Sequence, residues 1–117
     1  MNISKFTQKS VQAVQDLEKV AYEYGNQEIE EEHLLYALLT QEDSLILKLI
    51  EKMEIQKEYF IDTVKRALDA RVKVSGGELR FGQYLNKALV SAEDEAKAMG
   101  DEYVSVEHLF LSMLKNP

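Results

Sequence analysis

The chain has 117 residues, of which 45% are apolar and 30% charged, with a formal net charge of −7 at pH 7 and no cysteine. That length fits one domain with a modest core, the mixture argues for a globular fold over disorder, and the lack of cysteine excludes disulfides and thiolate metal sites. No stretch approaches the roughly 20 apolar residues of a bilayer span, and the opening MNISKFTQKS has no hydrophobic run or cleavage-like segment, so a soluble, cytoplasmic chain with no membrane partner is expected. The acidic excess argues against nucleic acid. The densest basic group, Lys65, Arg66, Arg71 and Lys73, reads instead as the solvated end of a helix, where cations suit the negative dipole.

Helical periodicity dominates, and the only proline is Pro117, so the spacing predicts an all-α domain. A first helix is expected from Thr7, whose hydroxyl can cap free backbone N–H groups, to Tyr24, with a buried stripe of Val14, Leu17 and Ala21 flanked by Ala13 and Val20. Gly25 suits the left-handed conformation that closes a helix. Ile29 leads into a second helix carrying Leu34, Leu35, Leu38 and Leu39. Asp43 or Ser44 can cap a third, with Ile46, Leu49, Ile50 and Met53. A fourth spans about Gln56 to Arg71, with Phe60, Val64, Ala67 and Leu68 on one face. Ser75, Gly76 and Gly77 then form a flexible connector; no Gly-Lys-Ser/Thr follows, so it is not a phosphate loop. Helical periodicity resumes near Gly82, runs to Met99, stops at Gly100 and returns from about Ser105 to Lys115.

The phrase GNQEIEEEHLL at 25–35 recurs as GDEYVSVEHLF at 100–110. Sliding the chain by 75 residues aligns Phe6–Gln41 with Phe81–Asn116 and makes 10 of 36 pairs identical, including Gly25/Gly100, Glu32/Glu107, His33/His108 and Leu34/Leu109. An internal duplication of a four-helix unit follows, with one unit at about 6–71, a linker at 72–80 and a partial second unit at 81–117. The second unit ends before any counterpart of 44–54 and 56–71, which predicts an exposed apolar patch on the last helix pair and dimerisation or exchange of elements between chains.

Both histidines lie in the repeated phrase. A metal site would want a second ligand one helical turn away, but positions 29 and 37 are Ile and Ala, and 104 and 112 are Val and Ser. Each imidazole is therefore expected to bind backbone groups at its helix start. Glu32 and Glu107 fall in first turns, where a carboxylate meets the positive end of the helix dipole. No nucleophile–base pair stands out, so the segment reads as a binding module without catalytic residues, metal or cofactor.

The stretches FTQKSVQAVQDLEKVAYEYGNQEIEEEHLLYALL and YVSVEHLFLSML resemble the double Clp repeat at the N-terminus of Clp/Hsp100 ATPases, and are most similar to that of the ClpB disaggregases. The resemblance covers nearly the whole chain and implies a pseudo-twofold bundle of eight helices, six of them here. It implies a hexameric ATPase parent whose ATP sites lie outside this stretch, and a domain that engages unfolded or aggregated polypeptide clients or adaptor proteins. A functional surface at Thr7, Asp101 and Glu107 is implied by the ClpB-type domains. A client groove is implied near Leu85, Leu89 and Val106, with Tyr84 at its edge. The alternative is an adaptor- or phosphoarginine-binding domain of a ClpC/ClpA-type protease partner. In that case Glu32 and Glu107 would receive guanidinium groups through paired charge-assisted bonds. That site uses a threonine at the start of each unit, and here the second unit has Gly82 in place of a partner to Thr7.

Overall fold

The computed structural model describes residues 3–115. Helices α1 (Gln8–Tyr24), α2 (Glu31–Leu39), α3 (Leu45–Lys52), α4 (Lys57–Asp69), α5 (Gln83–Ala98) and α6 (Val106–Lys115) follow in chain order, as expected from the periodicity. Two short strands, β1 (Glu28–Ile29) and β2 (Arg80–Phe81), precede α2 and α5. None of the helices is long and apolar enough to cross a membrane among the described residues.

The ends of the helices follow the local chemistry. Thr7 caps α1 by accepting from the Ser10 amide at 3.2 Å, and Gly25, at φ +70°, closes it so that the Asn26 amide reaches back to the Ala21 carbonyl at 2.9 Å. Gly100 repeats that closure at φ +72°, with the Asp101 amide bonding the Ala96 carbonyl at 2.8 Å. A single residue in the left-handed region thereby satisfies carbonyls the helix leaves open. Between the two possible caps of α3, Ser44 is the one used, accepting from Leu47 N–H at 3.1 Å. Its neighbour Asp43 instead takes the left-handed conformation that turns the chain.

Several expected stripe positions are not fully buried, Leu35, Leu49, Phe60 and Ala67 among them. Val14 is only half-buried because the inner face of α1 runs through Ser10, Ala13, Leu17, Val20 and Ala21. Met53 is exposed, since α3 ends at Lys52 and Met53 turns away as its C-cap. Leu34 and Leu38 of α2, Leu85 and Leu89 of α5 and Leu109 of α6 are fully buried together in one core with Ile29, Ile46 and Ile50.

β2 lies past the connector Ser75, Gly76 and Gly77, straddling the expected boundary between the linker at 72–80 and the second unit. β1 and β2 pair in parallel, Glu28 opposite Arg80 and Ile29 opposite Phe81. A single parallel bridge joins Phe6 to Val104. Shifting by 75 residues turns Ile29 into Val104 and Phe81 into Phe6, so the second contact is the first with the two units exchanged. The backbone bonds match as well: Gly82 N–H to the Ile29 carbonyl at 2.8 Å, and Thr7 N–H to the Val104 carbonyl at 3.0 Å. The pseudo-twofold axis runs between these two contacts.

One substitution breaks the symmetry at this joint. Glu30 is buried and accepts from the Leu85 amide at 2.9 Å. It thus caps α5 from the other unit, as Thr7 caps α1 from its own. A Cβ on Gly82 would overlap that carboxylate, so the threonine absent from the second unit has been replaced by a side chain reaching across the interface. Gly82→Ala is expected to cost about 1–3 kcal/mol through overpacking, and Glu30→Ala a similar ~1–3 kcal/mol through an unsatisfied amide. Glu30→Ala combined with Gly82→Ser puts a hydroxyl back at the N-cap and is expected to recover part of the loss. Urea unfolding of the four proteins checks this, and strictly additive losses would rule the exchange out.

Candidate functional site

Two surface pockets occupy equivalent places in the two halves. The first, of about 510 Å³, is lined by Glu28, Glu30, Glu31, Glu32, Arg71 and Tyr84. The second, of about 390 Å³, is lined by Thr7, Gln8, Lys9, Gln41, Asp43, Leu45, Ser105, Val106 and Glu107. A shift of 75 residues turns Glu30, Glu31, Glu32 and Tyr84 into Ser105, Val106, Glu107 and Lys9 with the units exchanged. Each pocket forms where the N-terminus of one unit's first helix meets the N-terminus of the other unit's second helix, so each collects two positive dipole ends beside a glutamate.

The two glutamates differ in what they hold. Glu32 accepts from Arg71 Nη1 at 2.8 Å. The same guanidinium lies 3.7 Å from Glu28, which is also 3.6 Å from Arg80. Next to them the Glu31 carboxyl is pushed above its ordinary pKa by burial and then by the charges of Glu32 and Glu30. Glu107 is exposed and has no hydrogen-bond or ion-pair partner among the described residues. Beside it, Val106 is buried and Leu45 is 40% exposed, giving the second pocket an apolar wall. The Thr7 hydroxyl donates to Ser10 Oγ at 3.0 Å while capping α1.

Of the residues singled out in the sequence, Thr7, Val106 and Glu107 come together in the second pocket, and Glu32 lies in the first. Asp101 does not line either. Its Oδ2 accepts from His108 Nε2 at 2.9 Å, which ties the α5–α6 turn to the start of α6. Leu85 and Leu89 correct the groove expectation. They are fully buried because they lie on the inner face of α5, packed in the common core with α6. Tyr84 is exposed at the rim of the first pocket. Lys9, Gln41, Asp43 and Leu45 were not singled out. They arrive from α1, the α2–α3 loop and the first position of α3; Gln41 pins the loop by donating to the Lys9 carbonyl at 2.8 Å, and only that packing brings them to Glu107.

Both histidines serve the fold. His33 Nδ1 accepts from the Glu30 amide at 2.9 Å, which leaves the ring proton on Nε2 for Asn26 Oδ1 at 2.9 Å. His108 repeats this with the Ser105 amide at 2.9 Å and Asp101. Both nitrogens of each ring are committed to bonds that hold the start of a helix.

Residues 5–117 match the family described as Clp repeat (R) N-terminal domain. The chain belongs to this family. Chaperone protein ClpB of Nitratidesulfovibrio vulgaris is 41% identical over 122 residues, covering 100% of this chain and 14% of that protein. The Clp N-domain therefore spans about one-seventh of the length of this curated relative. Among solved structures, the Hsp104 N-terminal domain of Candida albicans superposes with a TM-score of 0.86 at 21% identity, covering 96% of this chain and 75% of that one. The N-terminal domain of ClpV1 ATPase from E. coli gives 0.88 at 21% identity, covering 98% and 71%. These two establish the fold.

The buried ring of His33 sets a pH response for the Clp N-domain. Burial, followed by the nearby Arg71 cation, lowers its pKa from 6.5 to about 4. The unfolded chain therefore takes up a proton at this ring between pH 6.5 and 4 that the folded domain refuses, so stability falls as pH drops through that window. The loss is expected to be on the order of 2 kcal/mol from this residue. Chemical denaturation at pH 7.5, 6 and 4.5 measures it. His33→Gln should flatten that part of the curve, and an unchanged slope would remove the assignment.

Proposed function

We propose that this domain recruits unfolded or aggregated polypeptide to an ATP-dependent, ClpB-type disaggregating chaperone. The family membership supports the setting, and the Thr7–Glu107 pocket supports the place. The observation that carries the reading is the pairing of an accessible apolar side chain, Leu45, with a carboxylate, Glu107, that has no partner among the described residues. Such a surface gives weak, sequence-tolerant apolar contact, and a charge that favours basic clients. Leu45→Asp tests it cleanly, because an acidic residue at the first position of α3 suits the helix dipole and leaves the core untouched. The expected result is about fivefold weaker binding of a fluorescently labelled unfolded polypeptide, equivalent to about 1 kcal/mol of lost apolar contact, with the melting temperature unchanged. A folded variant that binds undiminished sinks the pocket assignment.

A second reading has its own observation. In the first pocket Glu32 already holds a guanidinium, that of Arg71, so the matching position of Glu107 is suited to an arginine-type group on an adaptor or a phosphoarginine-bearing client. A negative phosphoryl group would meet the N-termini of α1 and α6 while the guanidinium meets Glu107. Glu107→Ala should abolish the heat of phosphoarginine binding in titration calorimetry while leaving the fold intact; equal heat from both proteins would dismiss this reading.

A further inference from the structure

We infer that Arg71 is a built-in partner of Glu32 in the first pocket, so that the domain offers one free arginine-accepting carboxylate where its internal symmetry would otherwise give two. This rests on the second reading above and deepens it. The two pockets have the same construction, but in the first the chain supplies its own partners to both charged positions. Arg71 places its guanidinium 2.8 Å from Glu32. Glu30 places a carboxylate on the Leu85 amide at the N-terminus of α5. A cation on the glutamate and an anion on a helix N-terminus are the two charges that phosphoarginine would bring in a single side chain. At the second pocket the counterpart of Glu30 is Ser105, whose hydroxyl lies 3.0 Å from His108 Nδ1 in its own unit, and no arginine reaches Glu107 among the described residues.

Arg71 is held in position from several sides. The Asn26 side chain donates to the Val72 carbonyl at 3.1 Å, Lys73 Nζ to the Tyr24 carbonyl at 2.7 Å, and the Val74 amide to the Gly25 carbonyl at 2.9 Å. These bonds fasten residues 72–74 across the α1–α2 junction, so the guanidinium is delivered to Glu32 as part of the fold. An intramolecular group held this way acts at an effective concentration of about millimolar or above, which excludes a weak ligand competing for the same carboxylate. Fastening through the backbone also means that shortening the Arg71 side chain empties the pocket without releasing the segment.

Titration calorimetry with phosphoarginine, on the whole chain, reads the number of sites. The wild type is expected to bind one equivalent, lost in Glu107→Ala. Arg71→Ala combined with Glu30→Ser, the residue type at the matching position of the second unit, and Arg71→Met combined with Glu30→Ser as a variant that retains the apolar stem, are expected to bind two, with the added one lost when Glu32→Ala is combined with either. Melting curves confirm that each variant is folded. Two equivalents on the wild type, or one on both Arg71 variants, would overturn the inference. A wild type that binds none while the Arg71 variants bind one would uphold the closure and remove the Glu107 reading. No binding by any folded variant would remove both.

Discussion

The fold depends on a contact made twice. Each unit sends the residues before its first helix to pair in parallel with the residues before the other unit's second helix: Phe81 with Ile29, and Phe6 with Val104. Unpaired backbone groups at these places would be costly once the flanking helices had buried them. The reciprocal pairing removes that cost for both units together and sets how the halves face each other. It brings the N-terminus of α5 to that of α2, and the N-terminus of α1 to that of α6. The pockets are a geometric consequence of this joint.

Duplication supplied two equivalent pockets, and later differences between the halves made them unlike. Glu30 in place of a serine caps the neighbouring unit and requires Gly82 to have no side chain. Arg71 then satisfies Glu32. The same asymmetry appears at the surface. Leu39 is 2% exposed beneath the helices that follow it, whereas its counterpart Leu114 is 56% exposed, and Met99, the counterpart of Tyr24, is 59% exposed. The apolar exposure expected on the last helix pair is thus present at these two residues, although most of α6 is buried against α5 and α3.

Much of the fold could be read from residue types alone, because helix ends are decided within a few residues. Thr7, Gly25, Ser44 and Gly100 act locally, and their neighbours in sequence are their partners in space. The site was less legible. Glu107 and Thr7 were marked by repetition and by resemblance to Clp N-domains, but Lys9, Gln41 and Leu45 carry no local signal. Periodicity favours a core place for Leu85 and Leu89, and only the resemblance to Clp N-domains put them beside a groove, since an apolar stripe does not say what covers it. Burial decided the matter.

The sequence by itself determined the helices, their ends, the duplication and the pairing of each histidine with its own helix start, because those rest on interactions spanning three to seven residues. The tertiary structure alone decided which glutamate is free. Glu32 and Glu107 stand in the same repeated phrase, and the residues beside each, different as they are, do not say which one is paired. The difference is an arginine 39 residues from Glu32, brought to 2.8 Å by the packing of α4 on α2, and a long-range ion pair of that kind leaves no local trace.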